Sequence, residues 1–442
     1  MSQSALSRAR DLVAQGDDER AKQAYLEVLQ SDPGHCDALT ELGALAHASG
    51  HTSAARGAFR EAVRCHPADT VAQVGYATLL GEAGDPAAAA SHFRTALAAD
   101  PDLPQAHQGL ARALTELGED AELHWRKGFA GHAVVRRRYR GAGEGVPLLL
   151  LVASVGGNVA TRHWIDDRVF RATAIYADYC DPAAPLPAHA LIVNAIGDAD
   201  LCDRALANAE RIVEHSNAPV VNPPGKVRAT GRESNARRLA EIPGVVAPRI
   251  RPLSRASELG FPLLLRAPGY HTGRHFIRVE APDALAAAAA SLPCAEPLAI
   301  EYLAARGRDG MARKYRVMFI GGVLYPLHLA ISTDWKVHYY TAAMAAHDAF
   351  RAEERRFLDD MPGVLGDRAM MALERIQATL GLDYAGIDFA LTPNGSVLPF
   401  EANATMVINP PDPGAIWDYR RRAVAEALEA ARRLLPRSGR DP

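Results

Sequence analysis

The sequence predicts a multidomain protein in which an all-α solenoid of helical repeats precedes a small α/β domain and a larger α+β domain. Three observations predict it: proline and glycine recur every 34 residues near the N-terminus, apolar strands alternate with helices from Val146, and mixed strand patterns follow residue 223. A chain of 442 residues also exceeds what one hydrophobic core usually serves. The predicted boundaries are 1–130 for the solenoid, 131–145 for a basic, glycine-rich linker, 146–222 for the α/β domain and 223–442 for the α+β domain with its C-terminal helix.

The composition is that of an ordinary globular protein, with 48% hydrophobic and 23% charged residues. A formal charge of −3 excludes a generally basic protein that coats nucleic acid, so we expect no nucleic-acid partner. The longest apolar run, residues 146–155, is about half of what a membrane-spanning helix needs, which predicts a buried strand and no membrane partner. Five scattered cysteines without a CxxC pair, and an N-terminus without an apolar signal segment, favour a cytoplasmic location.

Each repeat of the solenoid is predicted to be a pair of helices. Glycine occupies the turn within the pair and proline ends it, at Gly16, Gly50, Gly84 and Gly118 and at Pro33, Pro67 and Pro101. Small residues recur where the helices pack closely and aromatic residues where a gap must be filled, at Ala21, Ala55 and Ala89 and at Tyr25, Phe59 and Phe93. Three repeats run from about residue 2 to 103, and a fourth, without the closing proline, is expected to cap the stack.

This pattern resembles the tetratricopeptide repeat in its period and in its small, aromatic and proline positions. The resemblance implies a surface that binds a peptide, a protein substrate or a partner protein. A spacer or a dimerisation arm is the alternative, and the oligomeric state stays open.

The predicted linker carries a basic run, which we interpret as a solvated surface, with a docking patch for an acidic partner as the alternative. Its arginines are Arg136, Arg137, Arg138 and Arg140. Beyond it, four short apolar segments alternating with a helix predict a small parallel sheet. The loop Gly156-Gly157-Asn158 follows the first of these strands, at the edge where small ligands bind parallel sheets.

Residues 388–403, DFALTPNGSVLPFEAN, read as a β-hairpin that contains unexpected acidic residues. A two-residue turn at Asn394-Gly395 would place Asp388 directly opposite Glu401, with Asn403 on the same face. Two neighbouring carboxylates repel unless a cation lies between them, and Mg²⁺ prefers oxygen ligands. We therefore interpret the hairpin as a metal site, with ordinary acidic decoration of a solvent-facing hairpin as the alternative.

This interpretation depends on the strand register. A three-residue loop would put the two acids on opposite faces, and a bulge at Pro399 would disturb the pairing. The apolar residues of the two strands indicate that the other face is buried: Phe389, Leu391, Leu398 and Phe400.

Two further segments are candidate parts of a site. An apolar strand ends at Arg266, and Gly269 and Gly273 then flank Tyr270, His271 and Thr272, so that exposed backbone N–H groups together with Arg274 could approach a phosphate. In LAIEYL, Glu301 closes another apolar strand, where backbone groups could hold a nucleobase.

In this order, these pieces resemble the ATP-grasp superfamily of carboxylate–amine ligases over about residues 146–406. The resemblance implies a pre-ATP-grasp α/β domain and an α+β ATP-grasp domain that bind ATP and two Mg²⁺ ions, with Mn²⁺ as a substitute. It implies metal ligation by Asp388, Glu401 and Asn403. It implies nucleotide binding by Arg232, Arg266, Gly269, His271, Thr272, Gly273, Arg274, Glu301, Tyr302, Leu303 and Lys314. Catalytic contacts would come from Arg316 and Arg266.

Three positions depart from the family pattern or stay open. Arg232 and Arg266 stand where such enzymes usually carry lysine, and the usual ribose-binding acid has only Asp309 as a candidate. Lys336 and His338 are expected to share a strand face with Asp334, and Trp335 is expected to pack rather than to contact substrate.

The resemblance implies a ligase that uses ATP to convert a carboxylate into an acyl phosphate, which an amine then attacks to form an amide or peptide bond, in peptide or natural-product biosynthesis. A non-catalytic scaffold with a degenerate, nucleotide-sensing ATP-grasp domain is the alternative.

Overall fold

The computed structural model describes residues 2–268, 275–294, 296–338 and 342–435. The chain forms two compact units, Met1–Ala133 and Val134–Pro442. No helix within the described ranges combines the length and apolarity that crossing a membrane requires.

The first unit is helical, and consecutive helices pack against one another. Its helices are α1 Ser2–Gln15, α2 Asp18–Ser31, α3 Cys36–Ala48, α4 Thr52–Cys65, α5 Thr70–Glu82, α6 Pro86–Ala99, α7 Pro104–Leu117 and α8 Glu122–Phe129. The glycines at the predicted turns all adopt positive φ, from +74° at Gly118 to +85° at Gly84, a conformation that costs glycine little. Aspartates cap several helices; the carboxylate of Asp69, for example, accepts the Ala72 N–H at 2.7 Å. The predicted helix pairs and their turns are thus confirmed.

The small and aromatic repeat positions interlock. Ala21, Ala55 and Ala89 are fully buried, as predicted for close helix packing. The ring of Phe59 lies against two glycines: a Cβ atom built on Gly43 would lie 2.8 Å from it, and one built on Gly75 would lie 2.2 Å from it. Glycine at these positions therefore leaves the space that the aromatic side chain fills.

We expect Gly75→Ala to lower the free energy of unfolding of the first unit by about 1–3 kcal/mol, because the added methyl group overlaps Phe59. The matched control is Gly57→Ala in α4, where a Cβ atom meets nothing within 4 Å. At that position alanine favours the helix more than glycine does, so we expect the free energy of unfolding of the first unit to rise by about 0.5–1 kcal/mol. Urea unfolding followed by far-UV circular dichroism measures both, and equal effects at the two sites would contradict the packing argument.

The second unit contains a five-stranded sheet in the order β1-β3-β2-β4-β5. Its strands are β1 Val134–Arg136, β2 Val146–Val152, β3 Phe170–Tyr176, β4 Leu191–Asn194 and β5 Val220–Val221. The predicted parallel pairing is confirmed for β2 to β5. The prediction that residues 131–145 form only a linker is wrong for β1, which pairs antiparallel with β3. Tyr139 also packs against Gly141 and Gly145, and Arg140 pairs with Asp167 at 2.8 Å.

Two four-stranded sheets follow, in the orders β6-β9-β7-β8 and β11-β10-β12-β13. Their strands are β6 Ile250–Pro252, β7 Leu263–Arg266, β8 Phe276–Val279, β9 Leu298–Glu301, β10 Ala312–Ile320, β11 Val323–Ser332, β12 Tyr384–Leu391 and β13 Val397–Asn403. The helices of the second unit are α9 Asp203–Val213, α10 Pro224–Arg228, α11 Arg232–Ala240, α12 Leu285–Ala290, α13 Asp348–Asp359, α14 Met361–Leu365, α15 Asp367–Leu380 and α16 Arg421–Arg433.

One hydrophobic cluster joins the five-stranded sheet to the sheet that contains β12. The rings of Trp164 and Tyr384 stack within it with their centroids 5.4 Å apart. Asn222 links the two parts as well, because its side chain accepts the Tyr384 N–H and donates to the Tyr384 carbonyl. The core is therefore continuous across residue 222, and the division at that residue stays a prediction.

Candidate functional site

A cavity of about 500 Å³ in the second unit brings the predicted residues together. Of the residues that the sequence predicts for the site and that the structure describes, all but Asn403 line this cavity. They are Arg232, Arg266, Glu301, Tyr302, Leu303, Lys314, Arg316, Asp388 and Glu401. Asn403 lines a smaller neighbouring cavity of about 50 Å³, which Arg232 and Glu401 also border. The predicted Gly269, His271, Thr272, Gly273 and Arg274 lie outside the described residues; β7 and β8, which flank them, pair antiparallel.

The hairpin formed by β12 and β13 places Asp388 directly opposite Glu401, as predicted. The predicted two-residue turn is wrong. The Thr392 N–H donates to the Ser396 carbonyl and the Gly395 N–H to the Thr392 carbonyl, which leaves a three-residue loop at 393–395. A bulge then shifts the register between Asp388 and Phe389, so that Phe389 pairs with Pro399. The extra loop residue and the bulge cancel, and the two acids meet on one face.

The residue displaced by this bulge is Phe400, which is 43% exposed instead of buried as predicted. Phe389 and Leu398 are buried, as predicted. Asn403 lies opposite Gly386, and its side-chain amide donates to Glu401 Oε1 at 3.0 Å. The bulge thus leaves one apolar side chain exposed, where it lines the same cavity as Asp388 and Glu401, and keeps the polar set together.

Asp388 is only 4% exposed and is held by two basic side chains of β10. Lys314 Nζ donates to Asp388 Oδ2 at 2.9 Å. Arg316 donates to both carboxylate oxygens, at 2.6 and 2.8 Å. Burial alone would raise the pKa of Asp388, but the charges of Arg316 and Lys314 outweigh it and hold that pKa well below its ordinary value. The carboxylate is therefore ionised.

Glu401 pairs with Arg232, the first residue of α11, at 2.6 Å. Burial alone would lower the pKa of Arg232, but Glu401 and Asp200 outweigh it and raise that pKa above its ordinary value. Arg266 lies close by, and burial together with the Arg232 charge lowers its pKa to about 10. Arg232 and Arg266, which stand where ATP-grasp enzymes usually carry lysine, thus both line the cavity.

Aromatic residues line another part of the cavity, beside the predicted nucleobase segment. Trp335 contacts Phe276 and Tyr302, with ring centroids 5.5 and 6.2 Å apart. Glu301 is held by Arg249 at 2.8 Å. The expectation that Trp335 only packs is incomplete, because its side chain also lines the cavity.

The strand predicted around Trp335 is absent from its described residues, 335–338, which lie in a loop. Lys336 and His338 nevertheless line the cavity, and Lys336 Nζ donates to the Phe276 carbonyl at 3.3 Å. The candidate ribose acid Asp309 pairs with Arg313 instead and is not among the cavity residues. The scarcity of lysine in the sequence is a clue to Lys336. The chain has only five lysines, and two of them, Lys314 and Lys336, line this cavity.

The donor set fits a hard divalent cation by type, with two carboxylates and one amide on facing strands. The set contains few ligands. The described residues hold no group of three or more His, Cys, Asp and Glu side chains that could hold a metal ion. The Asn403 side-chain oxygen accepts the Thr405 N–H at 3.0 Å. Basic side chains and backbone donors therefore already contact the atoms that would ligate a metal.

Comparisons with known proteins match the first unit. Family models described as tetratricopeptide repeat match residues 6–70 and 81–122. No curated protein matches the chain. Among solved structures, a MamA protein is 20% identical over 29% of this chain and 72% of its own, with a TM-score of 0.28.

Two further solved structures cover a similar share. A tetratricopeptide repeat protein from Parabacteroides merdae ATCC 43184 is 20% identical over 30% of this chain and 53% of its own, with a TM-score of 0.27. MamA from Desulfovibrio magneticus RS-1 is 21% identical over 29% of this chain and 74% of its own, also with a TM-score of 0.27. The repeat period, the helix pairs and the family matches agree that the N-terminal region of this chain consists of tetratricopeptide repeats.

Proposed function

We propose that the second unit is an ATP- and Mg²⁺-dependent carboxylate–amine ligase and that the repeat unit recruits a peptide, a protein substrate or a partner. The observation that carries the proposal is the convergence of nine described residues of the predicted site on one cavity, although they lie as far apart in sequence as Arg232 and Glu401. Chance placement of a metal-type hairpin, a basic wall and a nucleobase segment around one cavity would be unusual.

The character of the cavity supports a nucleotide. Among the described residues of its wall, basic ones outnumber acidic ones: Arg232, Arg266, Arg306, Arg313, Lys314, Arg316 and Lys336 against Glu301, Asp388 and Glu401. Such an excess of positive charge suits a polyphosphate. Leu264, Ile300 and Met406 supply apolar surface in the same wall, which suits a base.

In the proposed reaction an oxygen of the substrate carboxylate attacks the γ-phosphorus of ATP, ADP leaves, and an acyl phosphate forms. The amine nitrogen then attacks the acyl carbon, loses a proton and expels phosphate. Bound Mg²⁺, held by Asp388, Glu401 and Asn403, would supply charge neutralisation on the phosphates. Arg316, Lys314 and Arg266 stabilise negative charge on the phosphoryl group, and residues 301–303 orient the base.

A non-catalytic scaffold with a nucleotide-sensing domain is the second candidate. Two observations favour it: arginine stands at the two usual lysine positions, and Asp309 is not at the cavity. Under this reading, partner binding by the repeats would survive the double substitution Asp388→Ala and Glu401→Ala.

Titration calorimetry of the full chain with a non-hydrolysable ATP analogue and Mg²⁺ tests the proposal. We expect binding, and we expect Arg316→Met to weaken it about 10- to 100-fold, because it removes charge-assisted hydrogen bonds. Arg422→Met is the matched control, since Arg422 is exposed and pairs with Asp359 away from the cavity. Absence of nucleotide binding, together with no ADP release from ATP with a panel of acids and amines, would refute the proposed function.

A further inference from the structure

The two carboxylates of the hairpin both have counter-ions supplied by the protein. Asp388 contacts Lys314 and Arg316, and Glu401 contacts Arg232, with all nitrogen–oxygen distances between 2.6 and 2.9 Å. These pairs are shielded from solvent, because the side chains of Asp388 and Lys314 are at most 10% exposed and those of Arg232, Arg316 and Glu401 at most 20%. Screening by salt is weak at such sites, so the pairs have strong mutual attraction.

The same three basic residues line the cavity that is proposed to hold the polyphosphate. Each of them can therefore exchange partners, from a carboxylate of the hairpin to a phosphate oxygen. Arginine forms close hydrogen-bonded pairs with both groups, and lysine binds phosphate as a point charge. The exchange leaves the basic residues paired and releases the carboxylates.

We propose that Lys314, Arg316 and Arg232 act as internal counter-ions that exclude a divalent cation from Asp388 and Glu401 until a polyphosphate binds. A cation that approaches alone meets carboxylates whose charge is already neutralised and basic groups within 3 Å that repel it. A polyphosphate draws the basic groups away, after which the carboxylates attract the metal. This inference rests on the proposed function and adds the order and coupling of ligand binding.

Thermodynamic linkage makes the coupling reciprocal: if the polyphosphate strengthens metal binding, the metal strengthens polyphosphate binding by the same factor. Coupling between two sites is typically about 5- to 150-fold. We expect a value of at least about tenfold here, because three ion pairs exchange at once. Each of the three basic side chains thus has two alternative partners, a carboxylate of the hairpin and a phosphate oxygen of the ligand.

Binding of Mn²⁺ alone to the full chain, measured by the electron paramagnetic resonance signal of the unbound ion, tests the exclusion without any nucleotide. We expect weak binding to the wild type and at least about tenfold tighter binding to Arg316→Met and to Arg232→Met. The second variant guards against misfolding of the first, since the side chain it leaves without its arginine, that of Glu401, is 20% exposed, whereas the side chain of Asp388 is 6% exposed.

Arg306→Met is the matched control, because Arg306 lines the same cavity but, among the described residues, its side chain donates to the carbonyls of Gly310 and Thr333 and to no carboxylate. It removes the same charge without releasing a carboxylate, so its Mn²⁺ binding should equal that of the wild type. Tightening in the control equal to that in Arg316→Met would show a general charge effect and overturn the inference. Tight Mn²⁺ binding to the wild type, unchanged in the variants, would overturn it as well.

A separate titration distinguishes this inference from the proposed function. Affinity for the non-hydrolysable ATP analogue is measured with and without Mg²⁺, and inorganic tripolyphosphate replaces the analogue in a second series. We expect Mg²⁺ to increase the affinity for the ATP analogue and for tripolyphosphate by about tenfold or more. Binding of the analogue that is indifferent to Mg²⁺ refutes the coupling and leaves the nucleotide site standing, whereas no binding under either condition refutes the proposed function itself.

Discussion

Replacing Asp388 with asparagine is expected to lower the free energy of unfolding of the second unit by about 3–5 kcal/mol and to abolish the proposed ligase activity. The side chain is 4% exposed and neutralises both Lys314 and Arg316. Asparagine keeps the shape but leaves two basic groups without their buried counter-charge, which is the costly way to break a buried pair. Urea unfolding followed by tryptophan fluorescence measures the change in stability.

A double variant separates lost charge balance from lost packing. Asp388→Asn combined with Arg316→Met removes one of the unpaired charges, so we expect it to recover about 1 kcal/mol or more relative to the single variant. Activity should not return, because the proposed metal ligand is still missing. A single variant as stable as the wild type, or a double variant less stable than the single one, would contradict the electrostatic reading.

The effect also has a defined pH dependence. The folded-state pKa of Asp388 lies below its ordinary value, so its stabilisation is fully present above the ordinary carboxyl pKa of about 4. It is lost as the pH falls from there towards the folded-state pKa. The difference in stability between the wild type and Asp388→Asn should therefore be constant near neutral pH and narrow in strong acid.

The repeat unit could be predicted from the sequence because its signals are local. Glycines at positive φ, buried alanines and ring–glycine contacts recur with the 34-residue period. Each repeat therefore gives independent support to the structure predicted for the others. The hairpin was a harder case. A two-residue turn predicts the pairing of Asp388 with Glu401, whereas a three-residue loop and a bulge together produce the same pairing in the structure.

Other features could not be read from local pattern. Strand β1 forms because β3, some forty residues further along the chain, supplies its hydrogen-bonding partner. Residues 335–338 have a strand-like composition but lie in a loop, where Trp335 contacts rings from two other segments. Tertiary contacts decide both cases, and they are invisible to propensity.

The sequence pattern of helix α13 is weak because its buried face contains a charged residue. Glu354 is fully buried beside the apolar Phe357 and Leu358, so the amphipathic pattern that marks a helix is interrupted at a core position. The partners that make this burial tolerable lie more than sixty residues away, in 419–420. The interruption thus marks a buried ionic cluster outside the candidate site.

Replacing Glu354 with alanine is expected to lower the free energy of unfolding of the second unit by about 3–5 kcal/mol, because it removes the buried carboxylate with which Arg420 pairs. Arg420 is 3% exposed and donates to Glu354 at 2.6 Å, and its guanidinium lies 4.0 Å from the centroid of the Trp417 ring. The Glu354 carboxylate also accepts hydrogen bonds from the Tyr419 hydroxyl and the Leu329 N–H. The substitution therefore leaves several buried donors without this acceptor.

The matched control is Asp418→Ala, which removes an acid two residues from Arg420 whose ion pair with Arg421 is more than half exposed on both sides. Exposed pairs contribute little, so we expect a change below about 1 kcal/mol. Glu354 does not line the cavity, and nucleotide affinity of the folded Glu354→Ala protein should match that of the wild type. Equal destabilisation by the two substitutions would contradict the role of burial. Weaker nucleotide binding by the folded Glu354→Ala protein would mean that the ionic cluster helps to shape the cavity and does not only stabilise α13 and the chain before α16.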